Sequence, residues 1–272
     1  VVHGRISLLE IRNLTKVYGD GTVALRDLSF TVERGEFLVI IGLSGSGKSS
    51  LLRCINRLIE PTEGTILWDG VDITKTDPAR LREIRRQIGM IFQHFNLVRR
   101  SNVMTNVLAG RLGYTNPLSS VLHRFSAADR NMAMRALTRV GIADQAYKRA
   151  DELSGGQQQR VGVARALMQQ PRMILADEPV ASLDPVLAHT ILGYLEHMNR
   201  EEGMTVMCSL HYLDLVQRYA SRVIGLRDGR IVYRGSRDEI RRMTDEEFKE
   251  IYGEEAVRVS AGRGEEGSEH GT

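Results

Sequence analysis

The chain of 272 residues has only two cysteines, Cys54 and Cys208. Both lie in apolar surroundings, so they read as buried thiols in a reducing cytoplasm. Long hydrophobic runs are missing too: none approaches the roughly 18 apolar residues that a membrane span requires. A secretory leader is not expected, because Val1-Val2-His3-Gly4-Arg5 leads straight into a strand-like Ile6 to Ile11. The missing initiator methionine is expected of a trimmed or engineered start. No sign of charge dominates, the net charge being +3. The basic residues scatter, apart from Arg80, Arg82, Arg85 and Arg86 and then Arg99 and Arg100. The first group reads as a solvated helix face, so charge alone calls for neither nucleic acid nor a membrane surface. There is no internal repeat. What is present is ordinary for a folded domain: 42% hydrophobic and 26% charged residues, in a length suited to one large domain or a core with a subdomain.

Against that background one stretch stands out, VIIGLSGSGKSS from Val39 to Ser50. The apolar run Phe37 to Ile41 predicts a strand buried on both faces. It breaks into GLSGSGKS and continues into Leu51-Leu52-Arg53-Cys54-Ile55 with helical spacing, which is the strand, GxxxxGK[ST], helix context of a phosphate-binding loop. Gly42, Gly45 and Gly47 let the backbone turn tightly and approach an anion closely. The loop amides and the positive end of the helix then face the phosphates, with Ser44 and Ser50 completing the cradle. Lys48 is expected to reach the β- and γ-phosphates and Ser49 to offer its hydroxyl to Mg²⁺. The competing reading is a glycine-rich turn with a chance lysine; the flanking strand and helix favour a bound nucleoside triphosphate.

Residues 6 to 42 alternate in strand fashion as ISLLEI, TKVYG, LSFTVE and EFLVIIG, with turns at Gly19-Asp20-Gly21 and Arg34-Gly35. They predict a small antiparallel β-subdomain beside the nucleotide. Tyr18, at a strand end, is placed either to stack on a base or simply to serve as a strand tyrosine. TILWDG is a further strand, Pro78 opens a charged helix, and the strand IGMIFQ ends at Gln93. From about His94 to Asp151 helical periodicity dominates, with Ser126 and Asp129 as a capping box and an irregular stretch from Arg111 to Phe125 between helices. This reads as a helical subdomain inserted into an α/β core. LSGGQ, Leu153 to Gln157, then opens QQRVGVARALMQQ, expected to be strongly amphipathic, before Pro171. RMILAD, a helix over 186–200, TVMCSL, a hairpin turning at Asp228-Gly229 and a capped helix after Thr244 follow. AGRGEEGSEHGT has no apolar content to fold around and is expected to be a disordered tail.

The second half narrows the chemistry. A strand ending at Asp177 places a carboxylate where it can hold Mg²⁺, and Glu178 beside it can orient or deprotonate an attacking water. Ser154 and two glycines opening a long helix read either as a second anion site or as a plain helix cap. Taken in order, GLSGSGKS, Gln93, LSGGQ, Asp177-Glu178, Ser182-Leu183-Asp184 and His211 resemble the ATP-binding-cassette ATPases from Leu9 to about Ile240.

That resemblance implies an α/β P-loop NTPase (RecA-like) core with an antiparallel β-subdomain and an inserted α-helical subdomain. The core would cover 6–93 and 158–245 and the helical part about 94–157, with a short helix and tail over 246–272. It implies ATP and Mg²⁺ as ligands and a head-to-tail dimer with a second copy of the chain. Each ATP would lie between the Lys48 loop of one copy and Ser154, Gly155, Gly156 and Gln157 of the other. By the same resemblance Tyr18 stacks on adenine, and Ser49, Gln93 and Asp177 serve the metal. Glu178 is the base, His211 contacts the γ-phosphate, and Asp184 communicates across the dimer. Within the family, GRLG with its aromatic-containing insertion before RFS, DEPVASLDP, and the run from SLHYLDL to VYRG resemble the ATPase subunit of phosphonate importers. Leu118 to His123 lacks the tryptophan expected there, and Tyr212-Leu213 diverges. Phosphite, phosphate or a polar amino acid therefore stay open as substrates, and an exporter subunit is the nearest rival. Membrane permease subunits at the cytoplasmic face and, indirectly, an external substrate-binding protein are the implied partners. Nucleic acid is not: only about a hundred residues separate the phosphate loop from LSGGQ, without sustained heptads.

Overall fold

The computed structural model describes residues 7–115, 125–181 and 183–253. The insertion stretch Leu118 to His123, Ser182 and the expected tail lie outside the described residues. Two sheets form the frame. The first is antiparallel, in the order β2-β1-β4-β5, from β1 (Ser7–Val17), β2 (Val23–Glu33), β4 (Glu63–Trp68) and β5 (Val71–Asp72). The second runs β10-β9-β3-β8-β7-β6, from β3 (Phe37–Ile41), β6 (Ile88–Ile91), β7 (Met173–Ala176), β8 (Thr205–Ser209), β9 (Arg222–Arg227) and β10 (Arg230–Ser236). All of its pairings are parallel except the β9–β10 hairpin.

The fully apolar strands of the second sheet are buried on both faces, and their two-residue period divides the molecule into two cores. In β3, Phe37, Val39 and Ile41 face the helical side. Leu38 and Ile40 face the first sheet, packed with Trp68, Leu8 and α1 (Lys48–Ile55). α2 (Pro78–Arg86) closes that second core through Ile84, with Asp77 accepting from the Ala79 and Arg80 amides as its cap.

On the other face lie α3 (Val103–Leu108), a 3₁₀ helix (Ala109–Tyr114), α4 (Ala127–Arg139) and α5 (Gly155–Leu167). With them are α6 (Pro185–Glu202), α7 (Leu213–Tyr219), α8 (Arg237–Arg241) and α9 (Asp245–Tyr252). Ser126 and Asp129 form the predicted capping box of α4, and Thr244 with Glu247 forms that of α9.

Four local expectations are corrected. ISLLEI and the TKV of TKVYG belong to one strand, β1, whose register shifts near Leu14 where Asn13 takes φ +49°. Residues 111–114 are not irregular but continue a 3₁₀ helix, with the guanidinium groups of Arg86 and Arg111 5.0 and 4.0 Å from the Tyr114 ring centre. Arg85 and Arg86 are half-buried rather than a solvated face: Arg85 donates to the Asn56 and Arg57 carbonyls. Finally, α5 is not amphipathic. Gln159, Val161, Val163, Ala164, Ala166 and Leu167 are all buried, because the helix lies between α3, α4 and the sheet.

One buried side chain ties the loop after β6 to this helical layer. Asn106 of α3 is 2% exposed, accepts the Val98 N–H at 2.7 Å and donates to the carbonyls of Val98 (3.1 Å) and Asn102 (3.0 Å). Replacing it by alanine strands the Val98 N–H, at about 1–3 kcal/mol, while the Val98 and Asn102 carbonyls keep the Ser101 and Asn106 backbone amides. Asn106→Ala is therefore expected to lower Tm by roughly 5–10 °C, measured by thermal unfolding; a shift below about 2 °C would show that the staple carries little.

Candidate nucleotide site

Because β3, β8, β7 and β6 are parallel neighbours, the segments leaving their carboxyl ends meet along one edge. The loop after β3 carries Gly42 to Ser50, β8 leads to His211, β7 to Asp177-Glu178, and β6 to Gln93. The sequence places these residues far apart; the sheet order brings them together.

The loop is built against backbone. Gly42 has φ +144°, and a Cβ there would lie 2.2 Å from the Leu226 carbonyl oxygen. Gly47, at φ +107°, caps α1, and a Cβ would lie 2.5 Å from the Ala24 carbonyl oxygen. Gly45, at φ +81°, has open space around it, so its need is for the positive φ alone. Lys48 is 3% exposed, donates to the Gly42 and Leu43 carbonyls at 2.7 and 2.9 Å, and lies 3.7 Å from Glu178. Burial pulls its pKa below the usual lysine value, against the opposing carboxylates of Glu178 and Asp177.

Ser49 donates to Asp177 Oδ1 at 2.7 Å. Asp177 is fully buried, its Oδ2 has no hydrogen-bond partner, and Arg53 approaches that oxygen to 3.6 Å. Glu178 sits at φ +47°, a strained conformation for a non-glycine residue. Its amide donates to Ser209 Oγ at 2.8 Å, and its Oε1 is 2.5 Å from His211 Nε2. The ionised carboxylate only accepts, so Nε2 carries the proton in this pair. That hydrogen bond holds the Glu178 carboxyl below the usual glutamate range; burial opposes it, and Lys48 adds to it.

A hydroxyl and a buried carboxylate with an unpartnered oxygen are hard oxygen donors, and Gln93 follows β6 at the same sheet edge. Among the described residues no group of three or more His, Cys, Asp or Glu could hold a metal. Such a donor set fits Mg²⁺, which keeps waters and phosphate oxygens in its shell, and does not fit a cation needing an all-protein cage.

Tyr18 stands just after β1, its hydroxyl 3.0 Å from Ser50 Oγ and its ring 5.2 Å from the Lys16 ammonium. Ser44 and Ser50 lie in the loop and at the start of α1. LSGGQ is not brought to this edge: among the described residues no hydrogen bond or ion pair joins residues 154–157 to residues 42–50. Ser154 and Gly155 are exposed, and Ser154 with Gln157 makes a reciprocal capping box at the start of α5. Asp184 likewise caps α6, accepting the Leu187 N–H at 3.0 Å.

Two site residues escaped the sequence reading. Ser209 was discoverable as the residue that follows the β8 partner of Ala176, which puts it beside Asp177. Arg53 lies one helical turn after Ser49 and so shares its face. Both thiols are buried as expected, and burial pushes the Cys54 pKa up to about 11.

Fold and loop together define a P-loop nucleotide-binding cassette, with its carboxylates at the carboxyl edge of a parallel sheet. A profile of the ABC transporter family matches residues 25–181. The chain belongs to that ABC transporter family. It is 52% identical over 246 residues to the phosphonates import ATP-binding protein PhnC of Shouchella clausii, covering 90% of this chain and 91% of that one. The PhnC of Bdellovibrio bacteriovorus is 52% identical over 254 residues, covering 93% and 96%. Among solved structures, the dimeric cassette MJ0796 in a post-hydrolysis state with ADP and Pi superposes with TM-score 0.74 at 34% identity, covering 84% of this chain and 98% of that one. The cassette MJ1267 does so with TM-score 0.79 at 30% identity, covering 90% and 98%.

The Glu178–His211 contact sets a pH signature. A carboxyl depressed in the folded state contributes stability that is present above its unfolded pKa and lost as pH falls through the folded value. His211→Ala removes the leading cause, so the Glu178 carboxyl is expected to titrate at higher pH, followed by carbon-13 NMR of that side chain. An unchanged titration would assign the depression to Lys48 instead.

Proposed function

We propose that this chain is the ATP-binding and ATP-hydrolysing subunit of an ABC importer that couples hydrolysis to uptake of phosphonates across the cytoplasmic membrane. One observation carries the reading. Lys48, Ser49, Asp177, Glu178 and His211 converge at one sheet edge, in a chain 52% identical over 246 residues to a protein named for phosphonate import.

In the proposed mechanism the amides of Gly45, Gly47 and Lys48 cradle the phosphates, and Lys48 leaves the Gly42 and Leu43 carbonyls to meet them. Tyr18 stacks on the adenine. Ser49, Gln93 and Asp177 would hold Mg²⁺, which would supply charge neutralisation for the transferring phosphoryl group. Glu178, kept ionised by the His211 hydrogen bond, accepts the proton of the attacking water. His211 then steadies the γ-phosphate geometry. Ser154, Gly155, Gly156 and Gln157 of a second copy complete the site from the far side of the phosphates, and Asp184 senses that closure. The exposure of Ser154 and Gly155 leaves this helix start accessible to a second copy. No helix among the described residues is long and apolar enough to cross a membrane. Membrane attachment is therefore assigned to permease subunits, through the 380 Å³ groove of Gln93, His94, Phe95, Asn96, Leu97, Arg99 and Gln158. We assign residues 6–245 to the cassette, with its helical part over about 94–157.

Two experiments test the reading. Glu178→Gln is expected to bind ATP, dimerise and lose hydrolysis about a thousandfold, read by size-exclusion chromatography and phosphate release; near-wild-type turnover would remove Glu178 from the base role. ATPase activity of the complex reconstituted with its permease and binding protein is expected to rise with phosphonates. Stimulation by a polar amino acid but no oxyanion would sink the substrate assignment.

A further inference from the structure

The phosphate loop rests on an element with no part in the chemistry. The two-residue turn Asp228-Gly229 of the β9–β10 hairpin has φ +49° and +73°, both positive as a type I′ turn demands. A hairpin alone would explain the Asp-Gly pair. The turn does more than reverse the chain, however. The Gly229 N–H donates to the Ser46 carbonyl, inside the phosphate loop, at 3.1 Å. The Gly229 carbonyl accepts the Arg26 N–H of β2 at 2.8 Å. A Cβ on Gly229 would lie 2.7 Å from the same Ala24 carbonyl oxygen that bars a side chain at Gly47. Two residues before the turn, the Leu226 carbonyl of β9 closes on Gly42. Both constrained glycines of the loop therefore pack on backbone that the hairpin and β2 hold in place.

We propose that Gly229 is a positioning residue for nucleotide binding. Its turn clamps the Ser46 peptide, and so fixes the direction in which the following Gly47 and Lys48 amides point. The hairpin is anchored at its other side by Arg227, which donates to the Glu250 carbonyl of α9 at 3.1 Å, and by Gly225, packed against Ile251. The clamp thus has a rigid backing rather than a free loop tip. The coupling is reciprocal: a turn that favours the phosphate-ready loop must itself be stabilised when phosphate binds. The inference rests on the reading that residues 42–49 hold nucleotide phosphates.

The test separates close approach from turn propensity. Gly229→Ala and Gly229→Asn both add a Cβ, but asparagine tolerates positive φ. Both are expected to raise the dissociation constant for ATP and ADP about tenfold, with kcat at saturating ATP held within about twofold. Asp228→Ala weakens the same turn without placing an atom against the loop backbone, so it is expected to lower Tm while costing less nucleotide affinity than either Gly229 variant. In the unaltered protein, ADP is expected to slow hydrogen exchange at the Gly229 and Arg26 amides as it does at Gly47 and Lys48, a measurement that does not depend on any variant folding. Wild-type affinity in the Gly229 variants, equal loss in Asp228→Ala, or unchanged exchange at both amides would overturn the proposal. Absence of any nucleotide binding to the unaltered protein would instead overturn the reading of the loop.

Discussion

Asp177 is a carboxylate whose side chain is 1% exposed, and the arrangement around it follows from the need to compensate that charge. Leaving a buried charge without its partner costs about 3–5 kcal/mol. Both cations that answer the Asp177-Glu178 pair come from one helix: Arg53 3.6 Å from Asp177 and Lys48 3.7 Å from Glu178. Ser49, between them on α1, takes the other oxygen of Asp177. The helix after the phosphate loop is therefore locked to the end of β7 by three side chains. Sliding one against the other would break all three contacts together, so loop and carboxylates form one rigid unit.

That unit constrains the sheet around it. β7 pairs with β8 on one side and β6 on the other, so the serine after Cys208 is carried beside Asp177 and the segment after Ile91 is carried to the same edge. Ser209 then fixes the Glu178 amide, which is why Glu178 can persist at a positive φ. The strain is held where the carboxylate must point toward His211 and Lys48 instead of back along the strand. The two cores that flank the sheet supply the stiffness, and they do so with the alternate residues of the same short strands.

Much of this was legible in the sequence because it is local. GLSGSGKS between an apolar strand and a helix, the Ser126 and Thr244 caps, and the Asp228-Gly229 turn depend on neighbours in the chain, and pattern reveals them. What was not legible depends on packing at a distance. The helix after LSGGQ looks amphipathic in isolation, yet α3 and α4 cover the face that glutamines and arginines seemed to leave to water. Arg85 and Arg86 look like a solvated face, until Asn56, Arg57 and Tyr114 arrive from other elements. Arg53 and Ser209 carried no motif at all, and only the strand pairing and helical phase give them meaning.

The α5 start contrasts with the rigid edge. Its cap is satisfied within the chain, Ser154 taking the Gln157 N–H and Gln157 returning to the Ser154 N–H. A capping box settles only part of a helix start, since the first four amides of any α-helix lack partners in the helix itself. Here the residue between the cap and the buried Gly156 is an exposed glycine, so among the described residues the positive end of a 13-residue helix stands open. The phosphate loop is held elsewhere by Asp177 and the hairpin, and among the described residues no hydrogen bond or ion pair joins it to this helix start. That separation leaves the open helix start available to a second copy rather than to the same chain's loop. It supports the reading in which a second copy brings its helix to the phosphates.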